Sequence, residues 1–181
     1  ITKSLDHQGI ACEIENFPYV TADSLIKKVN KILILDHIED PRNLGAILRN
    51  SLAFNMELIV LPKDRACDIT PTVIKASAGT AVYLNISKVT NINNFIRDIK
   101  DEFFKIYGLE LNGNKYLSEI TFRGKTAIVL GSEGKGIRQL TKSLCDDIVS
   151  IDFNSKVGSL NVSSASAIVL YKMYIDYSNF A

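Results

Sequence analysis

Tryptophan is absent from this 181-residue chain, and histidine and methionine occur twice each, cysteine three times and proline four times. Cys12, Cys67 and Cys145 are an odd set without CxxC spacing, so a disulfide framework is excluded and reduced thiols in a cytoplasmic protein are expected. His7 and His37 are the only nitrogen ligands on offer, which argues against a zinc site. No apolar run approaches the roughly 18 residues of a membrane span, and the N-terminus lacks the charged-then-apolar layout of a signal peptide. The formal net charge is +1, which excludes bulk electrostatic coating of nucleic acid but leaves local basic clusters. Three such clusters stand out: Lys27, Lys28 and Lys31; Lys63 and Arg65; and Lys135, Arg138 and Lys142, the last set at helical spacing. The chain opens on Ile1 rather than Met, which predicts a fragment or processed chain with something upstream.

A hydrophobic content of 46% suits one well-packed domain. Residues 1–30 are polar and mixed, broken by Phe17-Pro18-Tyr19, and read as a linker and peripheral segment; the main domain is expected over 31–181. Buried strands are expected at 31–36, 57–61, 83–86, 104–109, 127–130 and 148–151. Helices are expected at 44–54, 70–77, 92–102 and around 137–144, with a long terminal helix over 160–176. This alternation predicts an α/β fold with a mostly parallel sheet and helices on both faces.

Where such strands end, three polar loops carry unusual residues. Ala127-Ile128-Val129-Leu130 runs into Gly131-Ser132-Glu133-Gly134-Lys135-Gly136. The loop is not a phosphate-cradling P-loop, because Gly136 is followed by Ile137 and Arg138, nor is it the dinucleotide fingerprint, because it reads GxxGxG and comes late in the chain. Asn43 has the chemistry to cap a helix starting at Leu44. Gly45 in that helix's first turn costs about 1 kcal/mol against Ala, so a close approach by a ligand or another backbone is expected there. Arg49 reads either as a functional cation or as an ion-pair partner for a carboxylate such as Asp36. Ser159 reads as the cap of the terminal helix, followed by a face of small residues.

Taken together, the three loops resemble a known family. Asn43-Leu44-Gly45-Ala46-Ile47-Leu48-Arg49 matches the NxGxxxR motif of the SpoU, or TrmH-like, branch of the SPOUT RNA methyltransferases. Leu130-Gly131-Ser132-Glu133-Gly134-Lys135-Gly136 resembles its LGxEGxG motif, and Ser159-Leu160-Asn161-Val162-Ser163 its SLNVS motif. Lys75 to Thr80 and His7 to Ala11 also look like family segments, the latter most like bacterial 23S rRNA guanosine 2'-O-methyltransferases, whose members carry a small upstream RNA-binding domain.

The resemblance implies a SPOUT-type fold with a C-terminal trefoil knot, S-adenosyl-L-methionine as cofactor, and methylation of a ribose 2'-hydroxyl in RNA, rRNA ahead of tRNA. Carried over by motif, Leu109, Gly131, Ile151 and Leu160 contact the cofactor, and the glycines mark where backbone approaches it. Asn43, Arg49, Glu133, Ser159 and Asn161 form the catalytic set. Removing a proton from a guanidinium at neutral pH costs about 7 kcal/mol, so Arg49 is expected to act as a cation on the RNA phosphate and the developing alkoxide. No metal and no membrane are implied. A homodimer is, packed through the terminal helix on Ser163, Ser164 and Ala167. The chain departs from the family's Ile-Pro-Met-x-Gly at Ile151-Asp152-Phe153-Asn154-Ser155. That departure motivates the competing expectation of a catalytically weak RNA-binding or ribosome-assembly module that retains the fold.

Overall fold

Leu33 and Leu35 point to one side of a strand and Ile32 and Ile34 to the other, and all four are fully buried, so the strand that carries them is covered on both faces. That strand, β1 (Lys31–Asp36), sits centrally in a seven-stranded sheet of the computed structural model, which describes residues 16–179. His7, Cys12 and the segment around them lie outside the described residues. The other strands are β2 (Leu58–Pro62), β3 (Ile86–Val89), β4 (Lys105–Leu109), β5 (Lys115–Tyr116), β6 (Thr126–Gly131) and β7 (Asp147–Ser150). Their order is β3-β2-β1-β6-β4-β7-β5, and every pairing is parallel, with Leu33 opposite Ile59 on one side and Ile128 on the other. The expected α/β class with a parallel sheet is what the chain adopts.

The helices are α1 (Pro41–Ala53), α2 (Pro71–Ala76), α3 (Ile92–Asp101), α4 (Gln139–Leu144) and α5 (Val162–Ser178). Leu44, Ile47 and Leu48 of α1 and Val169, Leu170 and Met173 of α5 pack with Leu33, Leu35 and Ile128 on one face. Phe95, Ile96 and Ile99 of α3 pack with Ile32, Ile34 and Val129 on the other. Ala22, Ile26 and Val29, from the segment ahead of β1, are buried on that second face, and Val20 N–H donates to Ile86 O at the sheet edge.

Several local expectations are corrected. Residues 80–83 form a 3-10 turn, not the start of a strand, because Gly79 takes a left-handed φ of 79° and turns the chain; β3 begins at Ile86. The cap of α1 is Asp40, which accepts from the N–H groups of Arg42 and Asn43 at 2.9 and 2.8 Å, with Pro41 at the first helical position. Asn161, not Ser159, caps α5. Lys135, Arg138 and Lys142 do not share a helix, since α4 starts only at Gln139.

The stretch between β4 and β6 holds elements that carry no strong periodicity: the short edge strand β5 and a 3-10 turn at Leu117–Glu119. Its far end is clamped by α5. Phe122 N–H donates to Asp176 Oδ2 at 2.9 Å, Lys172 Nζ donates to Ile120 O at 2.8 Å, and the Tyr177 hydroxyl donates to Gly124 O.

Candidate active site

Parallel strands deliver their following loops to one edge of the sheet, which is where open α/β folds place ligands. Here the loops after β4, β6 and β7 enclose a cleft of about 380 Å³. Leu109, Leu130, Ile151, Phe153, Leu160 and Val162 supply apolar wall, and Gly131 supplies backbone. The four residues assigned to the cofactor, Leu109, Gly131, Ile151 and Leu160, thus line one space, joined by Glu133 and Ser159 of the catalytic set.

The glycine loop owes its shape to its own backbone. Gly136 N–H donates to Ser132 O at 2.9 Å, and Gly134 and Gly136 take φ values of 82° and 66°, which favour glycine. A Cβ on Gly131 would stand 2.0 Å from the carbonyl carbon of Gly136. Gly131 is therefore required by the closing of the loop on itself, where the sequence had suggested approach to a ligand alone. Gly45 likewise meets protein: a Cβ there would stand 2.4 Å from Ala76 Cβ, so glycine lets α1 and α2 touch. This is the backbone-approach alternative of the two that the sequence left open.

Freed from capping α1, Asn43 joins the three motifs. Its Nδ2 donates to Glu133 Oε2 at 2.9 Å, and its Oδ1 accepts from Asn161 Nδ2 at 3.0 Å. Asn161 Oδ1 in turn accepts from Ser163 N–H and from Ser163 Oγ, at 2.8 and 2.6 Å. Asn50 Nδ2 holds the two helices together one level deeper, donating to Ser163 O and Ser166 Oγ at 3.0 and 2.9 Å. Ser163 accordingly faces α1, and the outer stripe of α5 is formed by Ser164, Ile168 and Tyr171. Tyr171 packs edge-on against Phe54.

Arg49 and Ser159 stay outside this network. Arg49 is exposed on the flank of α1 shared with Arg42, seven residues earlier, and among the described residues it has no ion-pair or hydrogen-bond partner. The Asp36 pairing offered as its structural role belongs to another residue. Asp36, 1% exposed, accepts from Arg138 N–H at 2.9 Å and faces Arg138 Nε at 3.5 Å.

Sequence reasoning missed Glu110. It accepts from Ile137 N–H at 2.6 Å and lies 3.6 Å from Lys142 Nζ, so it ties the loop after β4 to the glycine loop. The available signal was an acid placed directly after a buried strand. Neither described cysteine offers a nucleophile: burial pushes the Cys145 thiol up to about 12 and also raises that of Cys67.

Comparison with known proteins agrees with this arrangement. Residues 30–171 match the model of the SpoU rRNA Methylase family. A Coxiella burnetii relative named 23S rRNA (guanosine-2'-O-)-methyltransferase RlmB is 42% identical over 92% of this chain and 69% of its own length. A Synechocystis relative named as an uncharacterized tRNA/rRNA methyltransferase is 36% identical over 96% of this chain, which spans only 47% of that protein. Among solved structures, a putative TrmH-family RNA methyltransferase from Porphyromonas gingivalis superposes with a TM-score of 0.73 at 29% identity, over 80% of this chain and 59% of that one. The SpoU methyltransferase AviRb from Streptomyces viridochromogenes, solved with AdoMet, reaches 0.81 at 21% identity over 90% of this chain and 66% of its own, a likeness of fold. A sheet that gathers the three motif loops at one edge, a family model matched over residues 30–171 and relatives of this identity place the chain in the SpoU rRNA methylase family.

Proposed function

We propose that this chain transfers the methyl group of S-adenosylmethionine to a ribose 2'-hydroxyl in structured RNA, with rRNA ahead of tRNA as substrate. The observation that carries the reading is the Asn43, Glu133 and Asn161 network set at the lip of the apolar cleft. About 380 Å³ lies within the usual range for a small-molecule site. Its leucine and isoleucine walls suit an adenine, and the backbone of residues 131–136 offers polar groups to the rest of the molecule, so the residues present fit the cofactor. When bound, the cofactor supplies an electrophilic methyl carbon on a sulfonium.

The chain's own residues do the remaining work. Glu133, oriented by Asn43, and Ser159 position the acceptor ribose, and Asn161 holds Asn43 in register with α5. Arg49 stays cationic, contacts the RNA phosphate and stabilises negative charge as it develops on the 2'-oxygen. The hydroxyl proton leaves to the adjoining phosphate, and the cofactor, when bound, would supply the methyl group to the 2'-oxygen and depart as a neutral thioether.

Residues 31–181 form the catalytic unit in this reading, with a trefoil knot made by the returning chain. The passage of the 110–124 segment beside α5, held at Ile120, Phe122 and Gly124, supports that topology. The exposed Ile168 and Tyr171 support a homodimer through α5. A cytoplasmic location is part of this proposal; among the described residues no helix is long and apolar enough to cross a membrane.

The test is calorimetry with S-adenosylmethionine followed by methylation of an in vitro 23S rRNA transcript. A matched RNA with 2'-deoxyribose at the target is expected to bind and to remain unmethylated. Methyl incorporation at the deoxy site would point to base chemistry, and absence of cofactor binding would favour the RNA-binding module.

A further inference from the structure

A second cleft, of about 170 Å³, adjoins the first and shares Ser132, Glu133, Lys135 and Val162 with it. The charges around the two are lopsided. Among the described residues, Glu39, Asp40, Glu110 and Glu133 are the acids on their walls, and Lys135 is the only lysine or arginine. Asp40 is occupied in capping α1, and Glu110 in holding Ile137 N–H and Lys142. Of the other cations among the described residues, Arg138 is paired with Asp36 and Lys142 with Glu110, while the unpaired Arg42 and Arg49 line neither cleft. Lys135 is exposed and, among the described residues, has no partner. It stands on a turn whose path is fixed by the left-handed residues on either side, Gly134 and Gly136.

Acidic walls suit the sulfonium and ammonium of the cofactor and repel a polyanion. An RNA strand entering the smaller cleft beside Asn43 and Glu133 needs a cation at the seam. Resting on the function proposed above, we infer that Lys135 grips the RNA phosphate next to the acceptor ribose and so admits the strand past Glu39, Asp40 and Glu133. The side chain reaches both clefts, whereas a residue serving the cofactor's carboxylate needs only the larger one.

The experiment compares wild-type protein with Lys135→Gln and Lys135→Arg. An exposed side chain without partners on a turn is removed at little risk to the fold, and circular dichroism checks this. Binding to the 23S rRNA transcript is read by fluorescence anisotropy across a salt series, cofactor binding by calorimetry, and kcat and KM by methyl incorporation. Lys135→Gln is expected to raise the RNA Kd and KM about tenfold, with kcat within about threefold, as for loss of one charge-assisted contact. The salt slope is expected to fall by about 0.7 to 0.9, the loss of one phosphate contact. Lys135→Arg should behave as wild type, and cofactor affinity should not move in either variant. RNA binding unchanged in Lys135→Gln overturns the inference, as does a loss confined to cofactor affinity. The anisotropy arm decides the matter even if wild-type protein methylates nothing, an outcome that would instead sink the proposed function.

Discussion

Asn161 donates its side-chain amide to Asn43 across 118 residues of sequence, at 3.0 Å, while Asn43 donates to Glu133 at 2.9 Å. One asparagine thereby registers the first turn of α1 against both the glycine loop and the cap of α5. Asn43→Ala removes both bonds. We expect kcat to fall about a hundredfold, the loss typical of a positioned polar group at a reacting centre. Stability should drop by only about 1 kcal/mol, or 2–4 °C in Tm, because the pair is exposed. A melting shift above 10 °C would mean that Asn43 is chiefly structural.

Arg49→Ala should lower the methyl-transfer rate at least a few hundredfold with cofactor affinity within a few fold. Arg49 is exposed and without a partner among the described residues, so Tm should hold within about a degree. Calorimetry and single-turnover methylation separate the two effects. Parallel loss of cofactor binding and folding would make it an ion-pair residue after all.

Gly131→Val places methyls where Gly136 and Ile137 backbone already lies, since even a Cβ would come within 2.0 Å. The loop cannot then close, and cofactor binding should be lost, while the far-UV spectrum keeps its α/β shape. Retained affinity would move the cofactor away from this loop.

For Gly45, helix propensity and packing pull in opposite directions. Alanine gains about 1 kcal/mol of propensity, yet its Cβ would stand 2.4 Å from Ala76 Cβ, and overpacking costs about 1–3 kcal/mol. Urea unfolding should show Gly45→Val clearly destabilised, and Ala76→Gly should relieve Gly45→Ala only in part, because the backbone N of Ser77 and carbonyl carbon of residue 76 still stand 2.9 and 3.0 Å from the new Cβ. A Gly45→Val protein as stable as the wild type would refute the close approach as the reason for glycine.

Asp147 is largely buried, which opposes its ionisation, but hydrogen bonds from Lys115 and Lys105 outweigh this and hold its carboxyl below the usual range. A depressed carboxyl adds stability that is in full force above the unfolded value of about 3.9 and is lost as pH falls through the folded one. The wild type should therefore exceed Asp147→Asn in stability at pH 6, by no more than about 1 kcal/mol given the half-exposed lysines. The gap should narrow as pH falls below the unfolded value. A gap that widened in acid would contradict the assignment.

Strands such as Ile32 to Leu35 were legible because unbroken apolar runs bounded by polar residues fit little else. The run from Tyr83 to Ile86 was misread because three apolar residues around Asn85 fit a strand or a turn equally, and only the left-handed Gly79 decides. Asp40-Pro41 was a readable helix start, overlooked because Asn43 competed for the cap. The motif residues could be named from sequence, but the contact from Asn43 to Glu133 spans 90 positions and is created by the parallel sheet. Glu110 carried the signal of an acid directly after a buried strand, but its partners were illegible for the same reason, since they follow the next strand but one.

Val162 and Ala165 of α5, with Ser159 and Leu160 just ahead, complete the wall of the larger cleft. The same helix further on covers Phe122 and bonds its N–H through Asp176. A nascent chain on the ribosome thus has both other motif loops long before it has a pocket. Cofactor recognition becomes available only once the start of α5 has been made, so a chain terminated ahead of Val162 is a protein that cannot compete for cofactor.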